Sequence, residues 1–396
     1  MKARWSHCVD IENALREIML EGQHAEFIVK KYTSSPNKGS KDRRFIAQSV
    51  FTIVKNFRYY EYLANFCEEE LKFKMIINVY FHFNNISPPQ GNDWPILALD
   101  SFQSKLSDAA SYPSVVYSMP EWLDKIGEQI LHNSWQKIRE VSVELAPVFI
   151  RINNIRSDIN KVRKHLEKEG ISYEVINDVC LKLNQRINLN TDKAYAAGWF
   201  EIQDAGSQMV GTFANPAPEQ FIIDACAGAG GKSLHMAALM ENQGNILSLD
   251  VNEKALAQLK IRAERAGIKI IAVSDYNDME KLRSLNDSAD LVLCDVPCSA
   301  TGVMRREIDQ KWKFTSEKLE NLILVQKEIL QNASLWVKKG ANLIYATCSV
   351  LPMENGQQVD EFLSKNDDFV KIEEEHLFPE SNGHDGFYMC RIQRIK

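Results

Sequence analysis

The chain has 396 residues, 45% hydrophobic and 25% charged, and carries a net charge of −6 at pH 7. That length implies two or three domains rather than one core, and the acidic balance argues against indiscriminate nucleic-acid binding. No apolar run nears the ~18 residues of a membrane span, and the polar start Met1–Asp10 lacks a signal-peptide core.

A soluble cytoplasmic protein is therefore expected. Its eight scattered cysteines read as reduced thiols. Cys294 and Cys298 lack a second Cys/His pair at zinc-site spacing, so no metal is expected.

From Asp10 to about Leu71 apolar residues recur at helical spacing, as in Phe45, Ile46, Ser49, Val50, Ile53 and Val54. Lys38–Lys41 reads as the loop between two helical segments. Between Lys30 and Arg58 eight basic residues face one acid, Asp42. Lys38, Lys41, Arg43 and Arg44 in this run suit a phosphate-contacting patch, with Tyr32, Phe57, Tyr59 and Tyr60 beside them; a merely solvated face is the rival. Residues 1–85 thus read as a helical RNA-binding domain. Pro88–Pro95 is dense in breakers, and 86–118 reads as irregular linker.

Residues 119–198 read as a small α+β RNA-binding subdomain. Pro120–Leu131 is predicted as a helix, Ala146–Asn153 as a strand, Asp158–Glu169 as a helix capped by Ser157 and ended by Gly170, and Ile171–Ile176 as a strand. Arg151 in the first strand is a candidate RNA contact. From 199 to 396 strand and helix patterns alternate, the mark of a doubly wound parallel sheet. Its strands are predicted at Phe221–Asp224, Asn245–Asp250, Lys269–Val273, Leu291–Asp295 and Asn342–Ala346.

Asp224-Ala225-Cys226-Ala227-Gly228-Ala229-Gly230-Gly231-Lys232-Ser233 follows the first of these strands and opens a helix. Such glycines let backbone N–H groups approach a ligand, and a helix N-terminus favours negative charge. A nucleotide P-loop needs a glycine five positions before Gly231, where this chain has Cys226. A nucleoside-binding crevice needs an acid closing the next strand to grip the ribose hydroxyls. Asp250 supplies it, 26 positions after Asp224, near the ~20 of that fingerprint. S-adenosylmethionine is the expected cofactor, with Cys226, Ala227, Gly228, Ala229, Gly230, Gly231 and Lys232 around its amino-acid end. Asp275 is a candidate for the adenine amino group, with a turn-forming Asp as the rival.

Pro297-Cys298 and Thr347-Cys348 each follow a strand-like run, so both thiols should point into the cleft at the carboxyl edge of the sheet. A thiolate suits attack on an electron-poor ring at neutral pH. A lone cysteine is more often a small core residue. Two at strand exits point to covalent catalysis on a pyrimidine.

Asp224–Ser233, Asp295–Lys311 and Thr347–Gly356 together resemble the RsmB/Nop/Sun family of RNA (cytosine-C5)-methyltransferases. The resemblance implies a Rossmann-like class I methyltransferase sheet, preceded by an all-α NusB-like domain and a small RRM-like α+β subdomain. It assigns Cys348 as the nucleophile for C6, Cys298 as the thiol assisting release, and Asp295 as the partner of ring N3 and a cofactor contact. Lys232 and Lys311 are candidates to position substrate or lower a thiol pKa, and Arg305, Arg306 and Lys311 are candidate RNA contacts. The expected partner is RNA, ribosomal RNA before tRNA, with the protein a monomer away from membranes. Ala227-Gly228-Ala229 and Glu307-Ile308-Asp309 depart from the family pattern without removing a thiol or charge. A DNA cytosine methylase would take its nucleophile from the Pro-Cys motif and lack Thr347-Cys348. A P-loop NTPase and a catalytically silent RNA-binding protein are the rivals from other classes.

Overall fold

The computed structural model describes residues 2–64, 68–89 and 94–396. They divide into two compact units, Met1–Leu145 with Met304–Ser316, and Ala146–Val303 with Glu317–Lys396.

Among the described residues, the named elements of the first unit are all helices. Ser40–Lys55 buries Phe45, Ile46, Ser49, Val50, Ile53 and Val54, the stripe that its spacing dictates. Trp5–Met19, Phe57–Ala64 and Lys72–Phe83 turn their apolar faces to the same core. The stretch 86–118, expected as linker, instead contains the helices Leu99–Ala109 and Pro113–Val116. Only Phe102 and Ala109 of the first are buried, yet Leu99, Phe102, Leu106 and Ala109 recur at helical spacing, a signal the linker reading missed. Gln90–Asp93 of that stretch, like Asn65–Cys67 of the predicted helical run, lie outside the described residues.

Two further stretches group with the N-terminal helices. One is 119–145, where Arg58 Nη1 donates to the Met119 carbonyl at 3.0 Å. The other is 304–316: Trp312 Nε1 donates to the Val54 carbonyl at 2.8 Å, and the Asp309 carboxylate accepts the Ala25 N–H at 3.2 Å. An indole and a carboxylate whose partners lie hundreds of positions upstream leave no local signal.

The second unit carries two sheets. The smaller has the order β2-β3-β1-β4, all antiparallel: β1 Val148–Ile152, β2 Tyr173–Asn177, β3 Cys180–Leu183 and β4 Phe200–Ile202. Its helix Ile159–Lys168 is capped by Asp158, which accepts the Lys161 N–H at 2.9 Å, rather than by Ser157. The carboxylate sits where the orphan amides of the first turn can use it.

The larger sheet has the order β10-β11-β9-β8-β5-β6-β7. Its strands are β5 Phe221–Asp224, β6 Asn245–Asp250, β7 Ile271–Asp275, β8 Ala289–Asp295, β9 Val337–Thr347, β10 Phe369–Leu377 and β11 Phe387–Arg394. The pairs from β7 to β9 are parallel, and β11 and β10 add an antiparallel edge. β7 begins two residues later than expected and ends at Asp275, opposite Asp250. Ile222, Ile246, Leu291 and Ile344 pack on one face and Ile223, Leu247, Val292 and Leu343 on the other. Both faces are covered, so these strands read as continuous apolar runs. The chain winds outward from β5 to β7, then returns to β8 on its other side. That reversal opens a crevice at the carboxyl ends of β5 and β8. Among the described residues, no helix is long and apolar enough to cross a membrane.

Lys311, in the first unit, is 2% exposed, and its Nζ donates to the Lys55 carbonyl at 3.2 Å. Burial, then the charge of Lys55, pulls its pKa down to about 7. The unfolded chain binds that proton below ~10.4, so stability falls as pH drops from about 10 to about 7. Lys311→Met should raise the urea midpoint at about pH 7 and lose that advantage near pH 10. An equal effect at both pH values would assign the change to packing instead.

Candidate active site

β5 delivers Asp224 to the crevice, and the loop behind it turns on Gly228 (φ 53°) and Gly230 (φ 83°) before the helix Gly231–Leu239. A Cβ on Gly230 would stand 2.4 Å from Leu259 Cγ, so only glycine fits there. Gly228 donates its N–H to Asp250 Oδ2 at 2.8 Å, and Asn252 donates to Oδ1 at 2.8 Å. The acid closing β6 is thereby aimed by the loop itself. Asp224 is 1% exposed and accepts the Ser233 hydroxyl at 2.5 Å. Burial raises its pKa to about 7.

A cavity of about 410 Å³ opens beside this loop; of the residues expected at the cofactor, Cys226, Asp250 and Asp295 line it, and Ala227, Gly228, Ala229, Gly230, Gly231 and Lys232 do not. Asp275 is not on its wall; its Oδ1 accepts the N–H and side-chain amide of Asn277, at 2.9 and 3.1 Å. The sequence reading missed Val251, Tyr276, Asn277, Val325, Glu328 and Ile329. Val325, Glu328 and Ile329 lie on one face of the helix Ser316–Ser334, an i, i+3, i+4 stripe that could have been noticed. A volume of this order, an acid closing β6 and a glycine loop fit a nucleoside cofactor.

On the far side of Asp295 lie the two thiols. Cys298 Sγ and Cys348 Sγ are 3.3 Å apart, each half-buried at the exit of its strand. The hydrogen bond it shares with Cys348, then burial, pushes the Cys298 thiol well above its ordinary value. Lys232 Nζ reaches from the glycine loop to Asp295 Oδ2 at 2.5 Å. Burial pulls the lysine down, but the charge and hydrogen bond of Asp295, with the charges of Cys348 and Asp224, together outweigh it and leave its pKa above the usual range. The structure thus brings Lys232, Asp295, Cys298 and Cys348 together.

The residues expected at RNA are dispersed. Lys41, Arg43 and Arg44 are exposed, whereas Lys38 is half-buried and pairs with Asp10 at 2.7 Å. Arg305 is buried with Glu144 4.0 Å away, and Arg306 is half-buried. Arg151 is 2% exposed; it donates to the Gly231 carbonyl at 2.9 Å and to Gln203. Burial lowers its pKa to about 9. Arg151, Arg305 and Lys311 therefore sit inside the protein rather than on a surface that phosphates could reach.

Two family models match the chain. One, described as 16S rRNA methyltransferase RsmB/F, covers residues 212–393, and the ferredoxin-like domain of the RsmF/B-like methyltransferases covers 119–190. Ribosomal RNA small subunit methyltransferase B of Proteus mirabilis is 32% identical over 280 residues, 70% of this chain and 66% of that protein. The protein of the same name from Vibrio vulnificus is 30% identical over 300 residues, covering 74% and 68%. The chain thus spans about two thirds of the length of these relatives. Among solved structures, PH0851 superposes over the whole of both chains with a TM-score of 0.79 at 21% identity. A methyltransferase homolog from Pyrococcus horikoshii gives 0.63 at 20% identity, covering 72% of this chain and 98% of that one. These likenesses establish the fold.

Gly302 holds the floor under the thiols: its N–H donates to the Cys348 carbonyl at 2.9 Å and its carbonyl accepts from Gly386 at 2.9 Å. A Cβ there would lie 2.3 Å from Gly386 O and 2.8 Å from Cys348 O, so the backbone must move. Gly302→Ala should cost about 1–3 kcal/mol of stability and slow closure of a Cys298–Cys348 disulfide by the oxidant diamide. Denaturant titration and non-reducing peptide mass spectrometry read the two effects; wild-type values in both would show that the contact is slack.

Proposed function

The chain belongs to the RsmB/F family of 16S rRNA methyltransferases, and we propose that it methylates C5 of a cytosine in RNA, ribosomal RNA before tRNA. The single observation that carries this reading is the 3.3 Å approach of Cys298 and Cys348 beside the Lys232–Asp295 pair. S-adenosylmethionine, held by the glycine loop and Asp250, supplies an electrophilic methyl group when bound.

Cytosine C5 is a poor nucleophile, and the protein's task is to activate it. Cys348 as thiolate adds to C6, and the C5=C6 electron pair moves toward C5 and the ring. Asp295 hydrogen-bonds N3 and favours its protonation as charge develops there. Lys232 keeps Asp295 oriented through their 2.5 Å contact. After C5 gains the methyl it loses its proton to a base, the C5=C6 bond reforms and the Cys348–C6 bond breaks. Cys298 stands at the departing sulfur, where its S–H can assist the release. A base within a stem must leave its stack to reach this crevice, so a flipped or single-stranded cytosine is expected. The exposed Lys41, Arg43 and Arg44 would contact RNA phosphates. We take the protein to act as a cytoplasmic monomer.

A methylase of the DNA type, with Cys298 as nucleophile, is the second reading, because the same 3.3 Å contact allows either thiol to act. One denaturing gel with cognate RNA and S-adenosylmethionine separates the two. Cys298→Ala should accumulate a covalent protein–RNA species, and Cys348→Ala should give neither adduct nor product. An adduct from Cys348→Ala would overturn the assignment.

The cofactor reading has its own check. Asp250→Ala removes a bidentate, charge-assisted contact worth about 1.5–3 kcal/mol per hydrogen bond, so calorimetry should show S-adenosylmethionine binding weakened at least about tenfold. Tight Mg-ATP binding in place of S-adenosylmethionine would favour the NTPase rival.

A further inference from the structure

Glu354 is a fully buried carboxylate that the scheme above leaves without a task. It follows β9 in the short turn Pro352–Glu354 and is 0% exposed. Its Oε1 accepts the Ser299 N–H at 2.8 Å and Gln326 Nε2 at 3.0 Å. Its Oε2 accepts the hydroxyls of Ser299 and Ser349. Four donors thus reach one carboxylate from three segments: the loop after β8, the loop after β9 and the helix Ser316–Ser334. Ser299 is the chain neighbour of Cys298, and Ser349 that of Cys348.

Other bonds tighten the same knot. Thr301 Oγ1 meets Ser349 Oγ at 3.0 Å and accepts the Val350 N–H at 3.1 Å. Gln326 Nε2 also donates to the Pro297 carbonyl at 2.9 Å, and Asn355 Nδ2 to the Ser349 carbonyl at 2.9 Å. Burying an acidic side chain here would be costly without such partners. Four donors need an acceptor at both positions, which a carboxylate supplies and an amide does not. The charge that comes with it acts on Cys298.

We propose that Glu354 is a positioning residue that binds both cysteine-bearing loops, sets the spacing of their thiols and biases the proton toward Cys298. Its negative charge opposes ionisation of Cys298. The raised pKa of Cys298 agrees: after the Cys348 hydrogen bond and burial, the charges of Cys348 and Glu354 push it the same way. The other titratable groups facing the pair are Tyr345, whose hydroxyl donates to the Glu354 carbonyl at 2.7 Å, and Lys232 with Asp295 on the Cys348 side. The value of this arrangement to catalysis rests on the methyltransferase reading.

The test reads the thiols directly on the full chain, without RNA or cofactor. Iodoacetamide alkylation of Cys298 and Cys348 is followed by peptide mass spectrometry across pH, beside diamide closure of the pair. Glu354→Gln keeps the shape and removes the charge; its Cys298 profile should move to lower pH by at least about one unit. Ser299→Ala cuts one hydroxyl contact but keeps the charge, so its Cys298 profile should stay near wild type. Equal shifts in both variants would assign the effect to loosened loops and overturn the proposal, as would an unmoved Glu354→Gln profile in a protein with a wild-type melting temperature. Should Glu354→Gln fail to fold, Glu354→Asp carries the test. It keeps the charge one methylene back, so diamide closure should slow several-fold while the Cys298 profile holds; unaltered closure would overturn the positioning role. Failure of the methyltransferase reading alone would leave all of these profiles standing.

Discussion

The register between β8 and β9, with Asp295 opposite Ala346, is the constraint on which the crevice depends. Leu291, Leu293, Ile344 and Ala346 belong to one face of the sheet and Val292, Cys294, Leu343 and Tyr345 to the other. A slip of one residue would exchange the faces of a whole strand. It would also move one strand end by ~3.3 Å relative to the other, as large as the 3.3 Å gap between the thiols. The apolar pattern that folds the sheet is therefore also the ruler that spaces the cysteines. Val296 carries the register one step further, donating its N–H to the Ala346 carbonyl at 3.0 Å. Only beyond that point does side-chain bonding take over.

The smaller sheet is bolted to the same frame by buried polar groups. Asn153 Nδ2, beside β1, donates to the Gly198 and Ala266 carbonyls, both at 2.8 Å. Glu201 on β4 pairs with Arg262 at 2.9 Å and with Arg265, on the helix Glu253–Ala266. Arg151 meets the carbonyl of Gly231, the first residue of the helix behind the glycine loop. A carbonyl contact leaves the N-terminal amides of that helix open to a ligand. Replacing any one partner would strand a buried polar group, which costs more than the bond contributes. The residue that looked like an RNA contact thus serves to hold the glycine loop in place.

What was legible in the sequence followed from local pattern. The parallel strands showed as apolar runs, the glycine loop as a run of residues needing positive φ, and Asp250, Cys298 and Cys348 as residues at strand exits. What was not legible depended on distant partners. Arg151 and Lys311 read as surface cations because burial of a cation leaves no mark on its neighbours. The cavity wall at Val325, Glu328 and Ile329 belongs to a helix remote from every motif, whereas the helix Leu99–Ala109 carries a period that the breakers before it obscured. Asp275 ended its strand as read, yet Asn277, which its carboxylate holds, is the residue on the wall.

Lys232 and Asp295 show what the fold concedes to the site. A buried ion pair seldom stabilises a protein relative to apolar residues of the same volume, and Lys232 is only 11% exposed at its side chain. Nothing in the packing of β5 and β8 calls for it. The asymmetry of the pair is informative, because Asp295 remains 25% exposed while its partner is sealed. The lysine therefore acts from beneath, and the carboxylate presents its open side to the crevice. An acid held this way has its orientation fixed before any ligand arrives, so little reorganisation remains when charge develops nearby. The same logic runs through Asp250, aimed by the Gly228 amide, and through the two thiols, whose loops meet at one carboxylate. Each of these groups is oriented by a polar partner on a neighbouring segment, and the apolar sheet supplies the frame that brings those segments together.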